Sequence, residues 1–256
     1  MPRYALGVEY DGSDFLGWQI QPQEPTVQAT LERALAFVAA EPVTVFCAGR
    51  TDTGVHALGQ VVHFDCSAER AERAWILGCN SRLPDSVAVR WAQPVSEAFH
   101  ARYSARRRSY RYRILRSPTR PALEARYVLW AREELNVEAM RMAAQALVGR
   151  HDFTSFRTLA CQSKSPVREV YEIRLIEAGE HLDLHFEANA FLHHMIRNFV
   201  GSLLKVARGE RPVEWVSEVL AARDRSKAGP TAAAHALTFM AARYPAEFAL
   251  PAEHTL

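Results

Sequence analysis

The 256-residue sequence predicts an α+β fold: two mixed halves that share a central antiparallel sheet with helices packed on it. Period-two runs of apolar residues recur along the whole chain, as strands with one buried face require. Helical-period segments fall between them rather than in a separate block. The same mixture of elements appears once in residues 1–104 and again in 105–256, without any short repeat.

Arg3–Tyr10 sets Tyr4, Leu6, Val8 and Tyr10 against Ala5, Gly7 and Glu9, which reads as a half-buried strand. Thr26 follows Pro25 and is placed to cap a helix running to about Ala40, with Val27, Leu31, Leu35 and Val38 on one face. Two apolar runs, Val43–Ala48 and Leu58–Cys66, read as strands on either side of a polar turn. A helix near Glu69–Cys79 and a strand near Val87–Trp91 follow. In Ser104–Leu115, Tyr110, Tyr112 and Ile114 share one face, and Arg107, Ser109, Arg111 and Arg113 the other. The second half continues with a helix at about Val137–Leu147 ending at Gly149 and a polar loop, Arg150–Ser165. Strands at Val167–Ile176 and Leu182–Ala188 precede a long helix, Phe191–Arg208. A short helix (Val213–Arg223) and a strand (Ala234–Arg243) follow.

Hydrophobic residues make up 48% of the chain, which places it among globular proteins rather than disordered ones. The longest uninterrupted apolar run, Ala34–Ala40, is far too short to span a bilayer, and Glu9 and Asp11 interrupt the first apolar segment. The four cysteines form no CxxC pair, a pattern that fits reduced thiols and a cytoplasmic location. The formal net charge is only +2, so any electropositive surface must be local. It is concentrated between Ala101 and Arg116, where seven arginines (102, 106, 107, 108, 111, 113, 116) occur with no acid. A solvated strand face would also carry such a run. The interleaved Tyr103, Tyr110 and Tyr112 favour RNA, because rings stack on bases while guanidiniums pair with phosphates.

The turn between the two apolar runs reads CAGRTDTGVHALGQVVHFD from Cys47 to Asp65. It sets a lone carboxylate, Asp52, between Arg50 and Gly54 at the edge of a rigid sheet, where binding and catalytic groups concentrate. Asp and Thr also cap ordinary tight turns, so spacing alone leaves both readings open. GRTDTGVHALGQV resembles the signature of the tRNA pseudouridine synthase A family, usually met as GRTDAGVHATGQV. Further segments agree in the same order: YDGSDFLGWQIQ (Tyr10–Gln21), FHARYSA (Phe99–Ala105), RSYRYRI (Arg108–Ile114), HDFTSFR (His151–Arg157), CQSKSPVR (Cys161–Arg168), FLHHMIRNFVG (Phe191–Gly201) and AGPT (Ala228–Thr231). Thr53 stands where the family usually has Ala, and Ala233 and Ala236 where it often has Pro and Gly.

The resemblance implies a pseudouridine synthase fold with its active-site cleft between the halves. It implies an isomerase that converts uridine to pseudouridine at roughly nucleotides 38 to 40 of the tRNA anticodon stem-loop, working as a homodimer. The reaction breaks a glycosidic bond and forms a carbon–carbon bond at the same sugar carbon. It is redox-neutral, so neither cofactor nor metal is expected. The sequence has no GxxxxGK, GxGxxG or HExxH pattern. Asp52 is the expected nucleophile. A carboxylate that is partly buried yet charged needs a cation; Arg197 in HHMIRN is the partner the resemblance implies, although Arg50 is nearer in sequence. Arg50 is assigned to RNA backbone or flipped-base contacts. Tyr110 is expected to stack on the target uracil, with its hydroxyl near C5. Extruding a base costs a few kcal/mol and one stacking ring returns about 1–3 kcal/mol, so a paired uridine needs further contacts. Arg102, Arg106, Arg107, Arg108, Lys164 and Arg168 are the candidates.

Other readings compete. The adjacent His193 and His194 would diverge by about 100° on a helix, a poor pair of metal ligands. His181 and His185 read as surface residues, Phe153 and Phe156 as core, and Asp11, Asp14 and Trp18 as structural or RNA-positioning. A non-catalytic RNA-binding protein or chaperone on the same scaffold is the alternative, as is a synthase for another RNA position. A metal-dependent hydrolase is disfavoured by the missing ligand spacing.

Overall fold

The computed structural model describes every residue except Glu24 and Ala160. It is a mixed α/β protein on mostly antiparallel sheet, and its contacts divide it into two compact units. The first is Met1–Arg108 with Thr238–Leu256; the second is Ser109–Leu237. The boundaries therefore fall inside strands β5 (Arg107–Arg116) and β10 (Leu237–Arg243).

In the first unit, β1 (Arg3–Tyr10) lies between β3 (His56–Asp65) and β4 (Val87–Val95), antiparallel to both. The expected strand at 43–48 shrinks to β2, Phe46–Cys47, which pairs antiparallel with β3. Strand β10 joins the other side of β3 in parallel, with Thr238 opposite His56. Helix α1 (Val27–Ala39) starts where expected, Thr26 Oγ1 accepting the Ala29 N–H at 3.4 Å, and ends at Ala40 in the left-handed region. Helix α2 (Glu72–Asn80) packs on α1 and β4. Tyr4, Phe64 and Trp75 form an aromatic centre with centroid separations of 5.1 to 5.6 Å.

In the second unit, β7 (Gly149–Asp152), β8 (Val167–Ala178) and β9 (His181–Ala188) are consecutive antiparallel neighbours, and β6 (Leu129–Ala131) runs parallel to β5. Gly149, expected only as a helix terminator, opens β7: at φ +108 it turns the chain after α3 (Val137–Gln145) directly into an edge strand. Helix α4 is Met195–Ala207, shorter than its apolar period suggests, because His194 sits at φ +63 and breaks the run. His193 and His194 thus precede the helix, and their rings lie 4.1 Å apart instead of diverging on it. Helix α5 (Trp215–Ala222) packs with α3 and α4. Phe153, Phe156, Phe186 and Phe199 fill this core, as read for the first two.

Candidate active site

Asp52 occupies a reverse turn immediately before β3. The Val55 N–H donates to the Asp52 carbonyl at 3.1 Å, Gly54 takes φ +78, and the Asp52 side chain is half-buried. The turn is fixed from three directions. Buried Tyr10 meets Thr51 hydroxyl to hydroxyl at 2.7 Å, and burial holds its phenol well above the ordinary tyrosine range. Buried Gln60 grips Gly49 by both backbone groups, at 2.6 and 3.4 Å. The segment Asp11–Trp18 presses on the turn through two glycines. A Cβ on Gly12 would lie 2.1 Å from the Val55 carbonyl oxygen, and one on Gly17, at φ +90, 2.8 Å from that of Thr51. Only glycine permits that approach. Trp18, fully buried, donates its backbone N–H to the Thr51 carbonyl at 3.0 Å. The DGSDFLGW segment is therefore the backing of the Asp52 turn. Beside it, burial pushes the Cys47 thiol up to about 12, although Arg50, Arg102 and Arg108 pull it down.

Tyr110 and Arg197 belong to the second unit. Tyr110 is on the buried face of β5, its ring edge-on to Phe191 at 5.2 Å. Tyr112, two residues on, is a core residue whose hydroxyl donates to the Ala233 carbonyl at 3.0 Å. Arg197 lies in the first turn of α4, half-buried. Its Nε donates to the Ala232 carbonyl at 2.8 Å, and the Ala232 N–H returns a bond to the Arg197 carbonyl. Next to it, fully buried Asn198 accepts from Thr231 Oγ1 at 2.7 Å and from Arg225 at 3.1 Å, and donates to the Phe156 carbonyl at 2.8 Å. Gly201 approaches so closely that a Cβ would meet the Pro230 oxygen at 1.7 Å. Ser202 Oγ accepts the Gly229 N–H at 2.9 Å. The AGPT segment is thus clamped onto α4, which fixes the helix turn that carries Arg197. Sequence reading missed Asn198 and Arg225; AGPT was the available signal.

The proposed RNA-contacting cations divide by environment. Arg50, Arg102, Arg106 and Lys164 are exposed, and Arg107 is half-buried. Arg108 departs from expectation. It is 8% exposed, and its guanidinium donates to the carbonyls of Ala48, Ala105 and Arg102. It braces the loop instead of facing solvent. Arg168 bonds the Ser165 and Val167 carbonyls and Ser163 Oγ, tying off its own loop. Further along β5, Arg113 forms a bidentate pair with Asp183 at 2.7 Å and Arg116 pairs with Glu177, so the local excess of positive charge is smaller than the arginine run suggests. His181 pairs with Glu124 at 2.8 Å.

A conserved-family model described as tRNA pseudouridine synthase matches residues 7–104 and 143–245, and the chain belongs to that family. Its most similar curated relatives include proteins named tRNA pseudouridine synthase A. That of Xylella fastidiosa (strain M23) is 56% identical over 254 residues, covering 99% of each chain. That of Stenotrophomonas maltophilia (strain R551-3) is 54% identical over 255 residues, covering 99% of this chain and all of the relative. That of Xanthomonas campestris pv. campestris (strain B100) is 54% identical over 255 residues, covering 99% of each.

Proposed function

We propose that this protein isomerises uridine to pseudouridine in tRNA, at roughly nucleotides 38 to 40 of the anticodon stem-loop, with Asp52 as the catalytic carboxylate. The full-length likeness to proteins named tRNA pseudouridine synthase A carries this reading. The immobilised turn under Asp52 supports it, since a nucleophile or charge stabiliser must be held in one geometry.

The reaction balances within the substrate. The bond from the sugar carbon to N1 breaks, the uracil rotates, and C5 takes the vacated position. The C5 proton then leaves and N1 gains one. Asp52 attacks the ribose carbon or the uracil ring, or assists elimination to a glycal; each route needs an ionised carboxylate. Arg197 is assigned the role of keeping it ionised, and Tyr110 of stacking on the uracil near C5. Arg50, Arg102, Arg106, Arg107 and Lys164 are assigned to the RNA backbone. The working form is proposed as a cytoplasmic homodimer. No helix among the described residues is long and apolar enough to cross a membrane.

Release of tritium from C5-labelled uridine in a tRNA transcript tests the proposal. Wild type should release it; Asp52→Asn should lose at least about a thousandfold in turnover while binding the transcript normally. Full turnover by Asp52→Asn would remove the carboxylate from the mechanism.

A further inference from the structure

Four rings meet at the surface of the first unit, and the reaction chemistry above uses none of them. Phe46 in β2 stacks on His63 of β3 at 5.1 Å with planes 22° apart. His63 meets His100 at 4.5 Å, and His100 meets Tyr103 at 4.3 Å. The inner member, His63, is buried, whereas Phe46 is 50% and Tyr103 72% exposed. The Arg102 guanidinium sits 5.6 Å from the Tyr103 ring centre, within cation–π range.

Single exposed aromatic residues are ordinary. This group differs because the backbone below it is rigid. The Arg102 and Tyr103 N–H groups both donate to His100 Nδ1, at 3.1 and 3.3 Å. The His100 N–H donates to Ser104 Oγ and the Ser104 N–H to the His100 carbonyl. Ala101 N–H donates to His63 Nδ1 at 3.1 Å, and Tyr244 donates its hydroxyl to the Ala101 carbonyl at 2.7 Å. Arg108, through the Arg102 and Ala105 carbonyls, braces the same loop from within. The loop leaves a fixed, solvent-facing ring beside the Arg102 guanidinium. That is the composition of a base-stacking surface: the ring loses little entropy on binding, and the neighbouring cation meets the adjoining phosphate.

We propose that Tyr103, supported by His100 and Phe46, is a stacking platform for an unstacked base of the RNA, with Arg102 contacting the adjoining backbone. The inference rests on the tRNA reading above and deepens it. It answers the energetic shortfall at Tyr110, because a second stacked base offsets further cost of distorting the stem-loop.

The test uses the full chain and an unmodified tRNA transcript, with affinity measured across a salt series. Tyr103→Ala should weaken binding about five- to a hundred-fold, the range that losing a base–aromatic stack produces. The slope of log affinity against log salt should not change, because no phosphate contact is lost. Tyr103→Trp should restore most of the affinity. Arg102→Ala should instead reduce that slope by about one. Unchanged binding by Tyr103→Ala overturns the platform, as does a loss that Trp does not restore. Dissociation of a homodimer by Tyr103→Ala in sedimentation would also overturn it, making the patch a contact between copies. Wild type that neither binds the transcript nor releases tritium would bring down the tRNA reading itself; normal wild-type turnover with an indifferent Tyr103→Ala removes only the platform.

Discussion

The two units immobilise their key residues by different means. The Asp52 turn is held mainly by close backbone contact: Gly12 and Gly17 let one loop lie against another, and the polar support comes from the Tyr10–Thr51 and Gln60–Gly49 bonds. The Arg197 turn depends on a buried polar hub, with Asn198 joining Thr231, Arg225 and the Phe156 carbonyl, plus one glycine contact at Gly201. Shape fixes the acid and hydrogen bonding fixes the cation. A shape-based clamp is set by sterics alone, while a polar hub fails as a unit once a member is lost.

Substitutions should separate the two modes. Gly201→Ala places a methyl against the Pro230 oxygen and should cost about 3–5 kcal/mol in urea unfolding, more than an ordinary overpacked site. Native-like stability there would mean the AGPT contact yields easily. Asn198→Ala removes the buried amide that joins half-buried Arg225 and Thr231 to the Phe156 carbonyl and should cost about 2–4 kcal/mol. Its double mutant with Thr231→Ala should cost clearly less than the sum, and strict additivity would dissolve the hub. Gly17→Ala should cost about 1–3 kcal/mol and also reduce kcat with KM little changed, since it displaces the Asp52 turn. A stability loss at full kcat would show that the turn tolerates displacement.

A further expectation concerns pH. Burial, with His100 and Arg3 adding to it, lowers the His63 imidazole from 6.5 to about 4. Between those values the unfolded chain takes up the proton and the folded one does not. Stability should therefore fall as pH drops from about 6.5 to about 4, by up to about 3 kcal/mol, and this contribution should be flat above that window. His63→Phe should flatten the acid limb of the stability profile; an unaltered limb would assign it to other groups.

Much of this architecture was readable from residue order. Strong periodicity located β1, α1, β8, β9 and α5 to within a few residues. Strand β1, however, read as half-buried, is buried on both faces from Tyr4 to Val8, because β3 and β4 flank it and both its faces are covered. The turn under Asp52 was legible from its polar residues between apolar runs. Strand β7 was not, since a polar four-residue edge strand owes its existence to its partner β8. Arg108 is instructive. It shares the parity of Tyr110, Tyr112 and Ile114 in β5, and all four are buried, so alternation placed it inside while its charge argued otherwise. The backing glycines and the Phe46–Tyr103 rings depend on partners dozens of residues distant, which no local pattern encodes.

The segment Thr238–Leu256 belongs to the unit that begins at Met1. Its Tyr244 closes on Ala101, and its Thr238 and Phe239 lie opposite His56 and Ala57, a few residues beyond the acid. A ribosome must therefore translate the whole of the second unit before the first can be completed. Premature termination anywhere in that stretch would release a chain whose acid-bearing unit lacks strand β10.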